Sequence, residues 1–323
     1  MSLQLKCMGF FIIFVFIGCI SSIKNVDTFS SEGLKSGSIM TEDICQFKDT
    51  SIWVGGSDNG DCIRYFHAGL KDKNHIVHVW LHGDELNTYW NGPVGTGIKD
   101  RVEVVSYKNN APEKLQQYAN REYKTFGIPY IRVSRPGVYG SSGDHNQRRR
   151  PKEVEIVNKA LDALKKKYNV DSFILSGQSG GGHLVASLLA FRKDISCAVI
   201  TSGVVAVTER VKLKGWYSDN TGYTDYYDPL NHINEITPSS NRPIFIVGDP
   251  RDTNVPFSTQ EIYYKELKKA GQQAVLIQAK AQGKQYHSLT PMGFQIVKWW
   301  YDGATVEEIT QRSVKLYNEA NRQ

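Results

Sequence analysis

Apolar positions along this chain recur with two periods, and the period switches from segment to segment. Residues 62–66 and 76–81 are short β-branched and aromatic runs, the composition of strands. Residues 102–107 carry a shorter version of the same pattern. Residues 112–126 hold helix formers and stop at Gly127, and 128–133 return to strand with Pro129 only at the start. Over 151–168 the apolar residues are Val154, Val157, Leu161, Leu164 and Tyr168. Steps of three and four predict an amphipathic helix, and Lys165, Lys166 and Lys167 suit the negative end of its dipole. A compact strand over 172–176, a small-residue helix over 181–191 and a strand over 197–201 follow. Residues 205–242 are longer, aromatic and polar, and predict an insertion. Strand (243–248), helix (259–270), strand (274–277) and a helix from 291 complete the pattern. Strands alternating with helices imply an α/β fold: a mostly parallel central sheet with helices on both faces, in one domain over residues 46–323.

The amino terminus has a different pattern. Lys6 precedes an unbroken weakly polar or apolar stretch of 14 residues, 7–20, followed by Ser21 and Ser22. Fourteen helical residues reach ~21 Å, short of a ~30 Å hydrocarbon core. Residues 1–22 therefore predict a secretory signal peptide rather than a permanent span. Phe16-Ile17-Gly18-Cys19 resembles a lipobox, which would anchor the protein to lipid at Cys19; cleavage after Ser21 or Ser22 would release it. The expected location is secreted, periplasmic or anchored to the envelope. Residues 23–45 predict an irregular lead-in. In an oxidising compartment Cys45 and Cys62, 17 residues apart, can pair, whereas Cys197 in an apolar run predicts a core thiol.

Composition narrows the class. With 40% hydrophobic and 22% charged residues the chain is globular rather than disordered. The net charge of +6 is spread thinly except at Arg148-Arg149-Arg150, which predicts a solvated face. No zinc-finger spacing, basic heptad or RNP-like strand is present, so no nucleic-acid partner is expected. His78 and His82 share a strand face without a third ligand, so no metal is expected.

The chemistry sits at the strand ends. The strand ending at Ser176 runs into Gly177-Gln178-Ser179-Gly180-Gly181, which opens a helix. G-x-S-x-G in a strand–turn–helix context lifts the central hydroxyl above the sheet, so Ser179 is the expected nucleophile and the N–H of Gly180 an oxyanion donor. Such a hydroxyl needs an oriented base. His287, after the last strand, is the only histidine beyond residue 232. The acid is expected after the 243–248 strand, where Asp249 and Asp252 compete. Asp252 is favoured because Val255-Pro256 follows three residues on, while Asp249 precedes a proline and suits a turn. The order Ser, Asp, His is the hydrolase order. His82-Gly83-Asp84-Glu85 ends an earlier strand, which makes the N–H of Asp84 or Gly83 the second oxyanion donor, with His82 orienting the loop. Asp84 and Glu85 also raise the possibility of pairing with a substrate ammonium.

From His82 to His287 the chain resembles serine hydrolases of the α/β-hydrolase fold. Tyr227-Asp228-Pro229-Leu230, Asp252-x-x-Val255-Pro256, Leu267 with Gly271, and His287 resemble the catalytic domain of the prolyl oligopeptidase and dienelactone hydrolase branch. The length leaves no room for the propeller of prolyl oligopeptidases, which implies a carboxylic ester as substrate, with a short peptide as the alternative. The resemblance implies no cofactor. Tyr139, on the loop after the 128–133 strand, and Trp216 and Tyr217, in the insertion, are candidate substrate-binding residues; packing of the insertion on the fold is the competing role. A non-catalytic binding protein on this scaffold is the rival of a different class.

Overall fold

The computed structural model describes residues 29–46, 48–56, 59–320 and 322. The predicted signal, including Cys19, lies outside the described residues. Among the described residues there are ten strands: β1 (Ser51–Val54), β2 (Asp61–Ala68), β3 (Asn74–Leu81), β4 (Leu86–Trp90), β5 (Ile98–Glu103), β6 (Tyr130–Val133), β7 (Val170–Gln178), β8 (Ile195–Thr201), β9 (Ile244–Gly248) and β10 (Ala274–Gln278). Eight of them form one sheet in the order β1-β2-β6-β3-β7-β8-β9-β10. From β6 to β10 every neighbouring pair is parallel, and β2 is antiparallel to both β1 and β6.

The period-two alternation of the central strands sorts their side chains onto two faces. Leu175, Ile200 and Ile246 pack with Val154, Val157 and Leu161 of α5 (Pro151–Lys167), Leu184 and Leu188 of α6 (Gly180–Leu188), and Leu267 of α8 (Phe257–Lys269). Ile174, Val199, Phe245 and Val247 point the other way, onto Ile296 and Val297 of α9 (Thr290–Tyr301) and Ile309 of α10 (Val306–Ala320). On that second side Trp80 and Tyr130 meet Leu115 and Ala119 of α4 (Pro112–Phe126). Each fully buried Val, Leu, Ile or Phe among them contributes about 1.5–3 kcal/mol by leaving water. This is the α/β-hydrolase fold, and it brings the carboxyl ends of β3, β7, β9 and β10 to one rim.

Two segments depart from the pattern reading, 105–108 and the lead-in. Residues 105–108 form a short helix, α3, because β5 ends at Glu103 and Val104 N–H turns back to the Glu85 carbonyl at 2.9 Å. The strand pattern there belongs to a separate hairpin, β4–β5, outside the main sheet. Over its described residues, from 29 on, the lead-in is not irregular throughout: it holds α1 (Ser31–Ser36) and α2 (Glu42–Gln46). Leu34 is fully buried beside Tyr107 and Tyr139, and Cys45 is disulfide-bonded to Cys62. The insertion carries α7 (Val207–Leu213) and a 3-10 turn at Pro229–Glu235.

Candidate active site

Ser179 occupies the turn between β7 and α6, with φ 57° and ψ −116°. A non-glycine residue with positive φ costs on the order of 1–3 kcal/mol and persists only where its surroundings hold it. Here Ser179 N–H donates to the Thr201 carbonyl at 2.9 Å, while its own carbonyl accepts from His183 N–H at 3.0 Å and Val204 N–H at 3.3 Å. The motif glycines are needed for close approach: a Cβ on Gly181 would fall 1.9 Å from the Leu81 carbonyl oxygen, and one on Gly177 2.4 Å from the Gly181 backbone. The same packing brings the oxyanion loop against the serine, since a Cβ on Gly83 would meet Ser179 Cβ at 3.5 Å. Gly180 opens α6, where first-turn N–H groups have no partner within the helix and carry its positive end.

The loops after β9 and β10 meet beside that turn. Asp252 Oδ1 accepts from Asn254 N–H at 2.8 Å and Val255 N–H at 2.9 Å, and Oδ2 lies 2.7 Å from His287 Nδ1. A carboxylate can only accept, so the imidazole proton sits on Nδ1 and Nε2 keeps its lone pair. Nε2 is buried and makes no hydrogen bond. The histidine loop is tied to the nucleophile turn by a residue the sequence reading passed over: Gln178 Nε2 donates to the His287 carbonyl at 2.7 Å, and its Oε1 accepts from Leu289 N–H at 3.1 Å. Asp249 is engaged elsewhere, by Arg251 Nη2 at 2.7 Å and Ala281 N–H at 2.8 Å, as its turn position suggested.

Behind the oxyanion side lies a buried ion cluster. Asp84 Oδ1 is 2.9 Å from Arg135 Nη1, and Oδ2 is 3.1 Å from Arg148 Nε and also bonds Arg149 Nη1. A Cβ on Gly180 would collide with Asp84 Oδ1 at 2.1 Å, so this carboxylate sits directly against the residue after the nucleophile. Burial opposes ionisation of Asp84, but the guanidiniums of Arg149, Arg148 and Arg135 outweigh it and hold the carboxyl well below its usual range. Asp84 keeps a partly exposed edge, whereas Glu85 is buried; there burial is again outweighed, chiefly by His82, whose Nδ1 is 3.3 Å away. Neither carboxylate is left to receive a substrate ammonium. His82 is itself buried, with Nε2 accepting Arg135 N–H at 3.3 Å, and burial lowers its pKa.

Two expectations are corrected. Arg148 and Arg149 do not form a solvated face: both are buried, paired with Asp84 and, for Arg149, with Asp219 at 2.7 Å. Tyr139 is not at the substrate. Its φ of 49° turns it inward, where its ring lies 5.0 Å from Tyr107, 5.1 Å from His82 and 5.4 Å from Phe29, fully buried. Trp216 packs over the Arg210 guanidinium at 5.0 Å. Tyr217 is exposed, and its N–H donates to the Val94 carbonyl of the β4–β5 hairpin at 2.9 Å.

Residues 139–296 match the prolyl oligopeptidase family. No curated protein matches the sequence. Among solved structures, the esterase Pf2001 of Pyrococcus furiosus superposes with a TM-score of 0.55 at 15% identity, over 83% of this chain and 97% of that one. An acylaminoacyl peptidase of Pyrococcus horikoshii gives 0.55 at 14% identity, over 80% of this chain but only 43% of that one. Est1E of Butyrivibrio proteoclasticus, solved with ferulic acid bound, gives 0.52 at 14%, over 80% and 99%. This chain thus spans about two fifths of the acylaminoacyl peptidase. At such identities the likeness is one of fold.

Proposed function

We propose that this chain, of the α/β-hydrolase fold and similar over residues 139–296 to the prolyl oligopeptidase family, is a carboxylic ester hydrolase working through an acyl-enzyme on Ser179. His287 Nε2 takes the hydroxyl proton as Ser179 Oγ attacks the acyl carbonyl. Asp252 holds the imidazole and stabilises the cation that forms. The N–H groups of Gly180 and of Gly83 or Asp84 receive the oxyanion. The alcohol leaves with the proton from His287, and water then repeats the sequence to release the acid. The observation that carries this reading is the 2.7 Å contact between His287 and Asp252, with Nε2 left free on a loop pinned to Gln178 next to Ser179.

Ester over peptide is supported by the internal pairing of Asp84 and Glu85, which removes the carboxylates an amino-terminal ammonium would need. The esterase Pf2001 is also matched over nearly its whole length, the acylaminoacyl peptidase over a minority of its length. A panel of nitrophenyl esters set beside aminoacyl and prolyl nitroanilides tests the choice. Esters should lead in kcat/KM by at least about a hundredfold, roughly 2.7 kcal/mol of barrier. Nitroanilides cleaved as well as the esters would make the enzyme a peptidase. We also propose that the protein is exported to an oxidising compartment, a reading that rests on the apolar stretch 7–20 behind Lys6 and that would favour the Cys45–Cys62 bond. The mature chain should begin after Ser21 or Ser22, or at a lipid-modified Cys19; an intact Met1 terminus on exported protein would exclude processing.

A further inference from the structure

The ion cluster under the oxyanion loop does not end at Asp84. Arg149 also donates from Nε to Asp219 Oδ2 at 2.9 Å, and Arg210 Nη1 lies 3.4 Å from Asp219 Oδ1. Arg210 in turn donates from Nη2 to Asn254 Oδ1 at 2.8 Å and from Nε to the Asn254 carbonyl at 3.2 Å. Asn254 is the residue whose N–H holds Asp252 Oδ1. An unbroken series of contacts therefore runs from the carboxylate beside Gly180 to the carboxylate beside His287, through Arg149, Asp219, Arg210 and Asn254.

The helix bearing Arg210 is built to reach this loop. Asp228 fixes the start of α7 by accepting Val207 N–H at 3.0 Å and Thr208 N–H at 2.8 Å. Arg210 and Lys214 are four residues apart, hence on one helical face. Lys214 Nζ donates to the Thr253 carbonyl at 2.5 Å, so both cations grip consecutive residues of the acid loop. Trp216 covers the Arg210 guanidinium. Burial pushes Arg210 down to about 10, which leaves it cationic at neutral pH. Asp219 is fully buried. Burying charges costs several kcal/mol per ion, and apolar residues of similar volume usually stabilise a core better. What the ions add over apolar packing is fixed direction, and here the fixed directions end on two catalytic loops.

We propose that Arg210 is a positioning residue for Asp252, acting through Asn254, and that Arg149, Asp219 and Arg210 together form a buried strap by which the insertion joins the oxyanion loop to the acid loop. The inference rests on the assignment of Ser179, His287 and Asp252 above. Its test is steady-state hydrolysis of a nitrophenyl ester, with kcat divided by the number of sites titrated by a fluorophosphonate. In Arg210→Gln, kcat per titrated site should fall about tenfold or more while KM moves less than twofold. Asn254→Ala removes only the side-chain half of that grip and should lower kcat per site by less, and the double variant should lose no more than Arg210→Gln alone, because both act along one path. Damage to folding alone would instead reduce the number of titrated sites and leave kcat per site intact. Arg210→Gln with wild-type kcat per site, or losses that multiply in the double variant, would overturn the proposal. If Arg210→Gln does not fold, Arg210→Lys decides, since it keeps a cation for Asp219 but loses the two-pronged grip on the Asn254 carbonyl and Oδ1: unchanged kcat per site overturns the strap. A wild type that resists the fluorophosphonate would refute the Ser179 assignment instead, so the two failures are distinct.

Discussion

Replacing Ser179 or His287 by alanine should lower ester turnover by a factor of about 10^4 to 10^6, and replacing both should cost little more than either alone. In the proposed mechanism the two groups share one proton: without the imidazole the hydroxyl is a poor nucleophile, and without the hydroxyl the base has nothing to activate. Alanine at 179 keeps the backbone bonds to Thr201, His183 and Val204, so the turn should survive. Alanine at 287 keeps the carbonyl that Gln178 binds. Folded protein, judged by circular dichroism, should therefore accompany both losses. Losses that multiply in the double variant would mean the two residues act in separate steps.

Asp84→Asn should destabilise the protein by about 3–5 kcal/mol, the usual consequence of removing one partner from a buried ion pair. The amide keeps the size of the side chain but removes the charge that Arg135, Arg148 and Arg149 share. Asp219 and Glu153 would remain as counter-charges for Arg149 and Arg135, and Arg148 would lose its ion-pair partner. The pH dependence has a defined sign. A carboxyl held below its unfolded value, about 3.9, stabilises the fold fully above that pH, and the contribution is lost as pH falls through the depressed folded value. Urea midpoints of wild type and Asp84→Asn should thus differ by a constant amount near neutrality and converge only in strong acid. Equal midpoints at pH 7 would show that the three arginines do not depend on Asp84.

Ser179 sits where the sequence is most legible, and Asp84 where it is least. The G-x-S-x-G turn is local: its glycines are dictated by backbone approach within a few residues and to Leu81, so a short window announces it. The parallel core was legible for a similar reason, because each strand's apolar run reports its own burial. Arg148 and Arg149 were misread because their partners lie 64 to 70 residues away, and no local pattern distinguishes a paired basic run from a solvated one. Tyr139 was misplaced because its loop position pointed to the rim while its positive φ turned the ring into the aromatic cluster with Tyr107 and Phe29. The lead-in carries no periodic apolar pattern, yet Leu34, fully buried, together with the Lys35 carbonyl, which accepts from Asn146 Nδ2 at 2.7 Å, docks α1. Gln178 went unnoticed because the motif leaves its position unspecified, and its role depends on where His287 arrives in space.

The account stands on a reactive hydroxyl at one position, and the mass of a covalent adduct reads it directly. Wild type treated with a fluorophosphonate should gain a single phosphonyl group, on the peptide containing Ser179, and lose ester turnover in step with it. Folded protein that hydrolyses esters yet carries no adduct there, or carries it on another residue, would contradict the assignment.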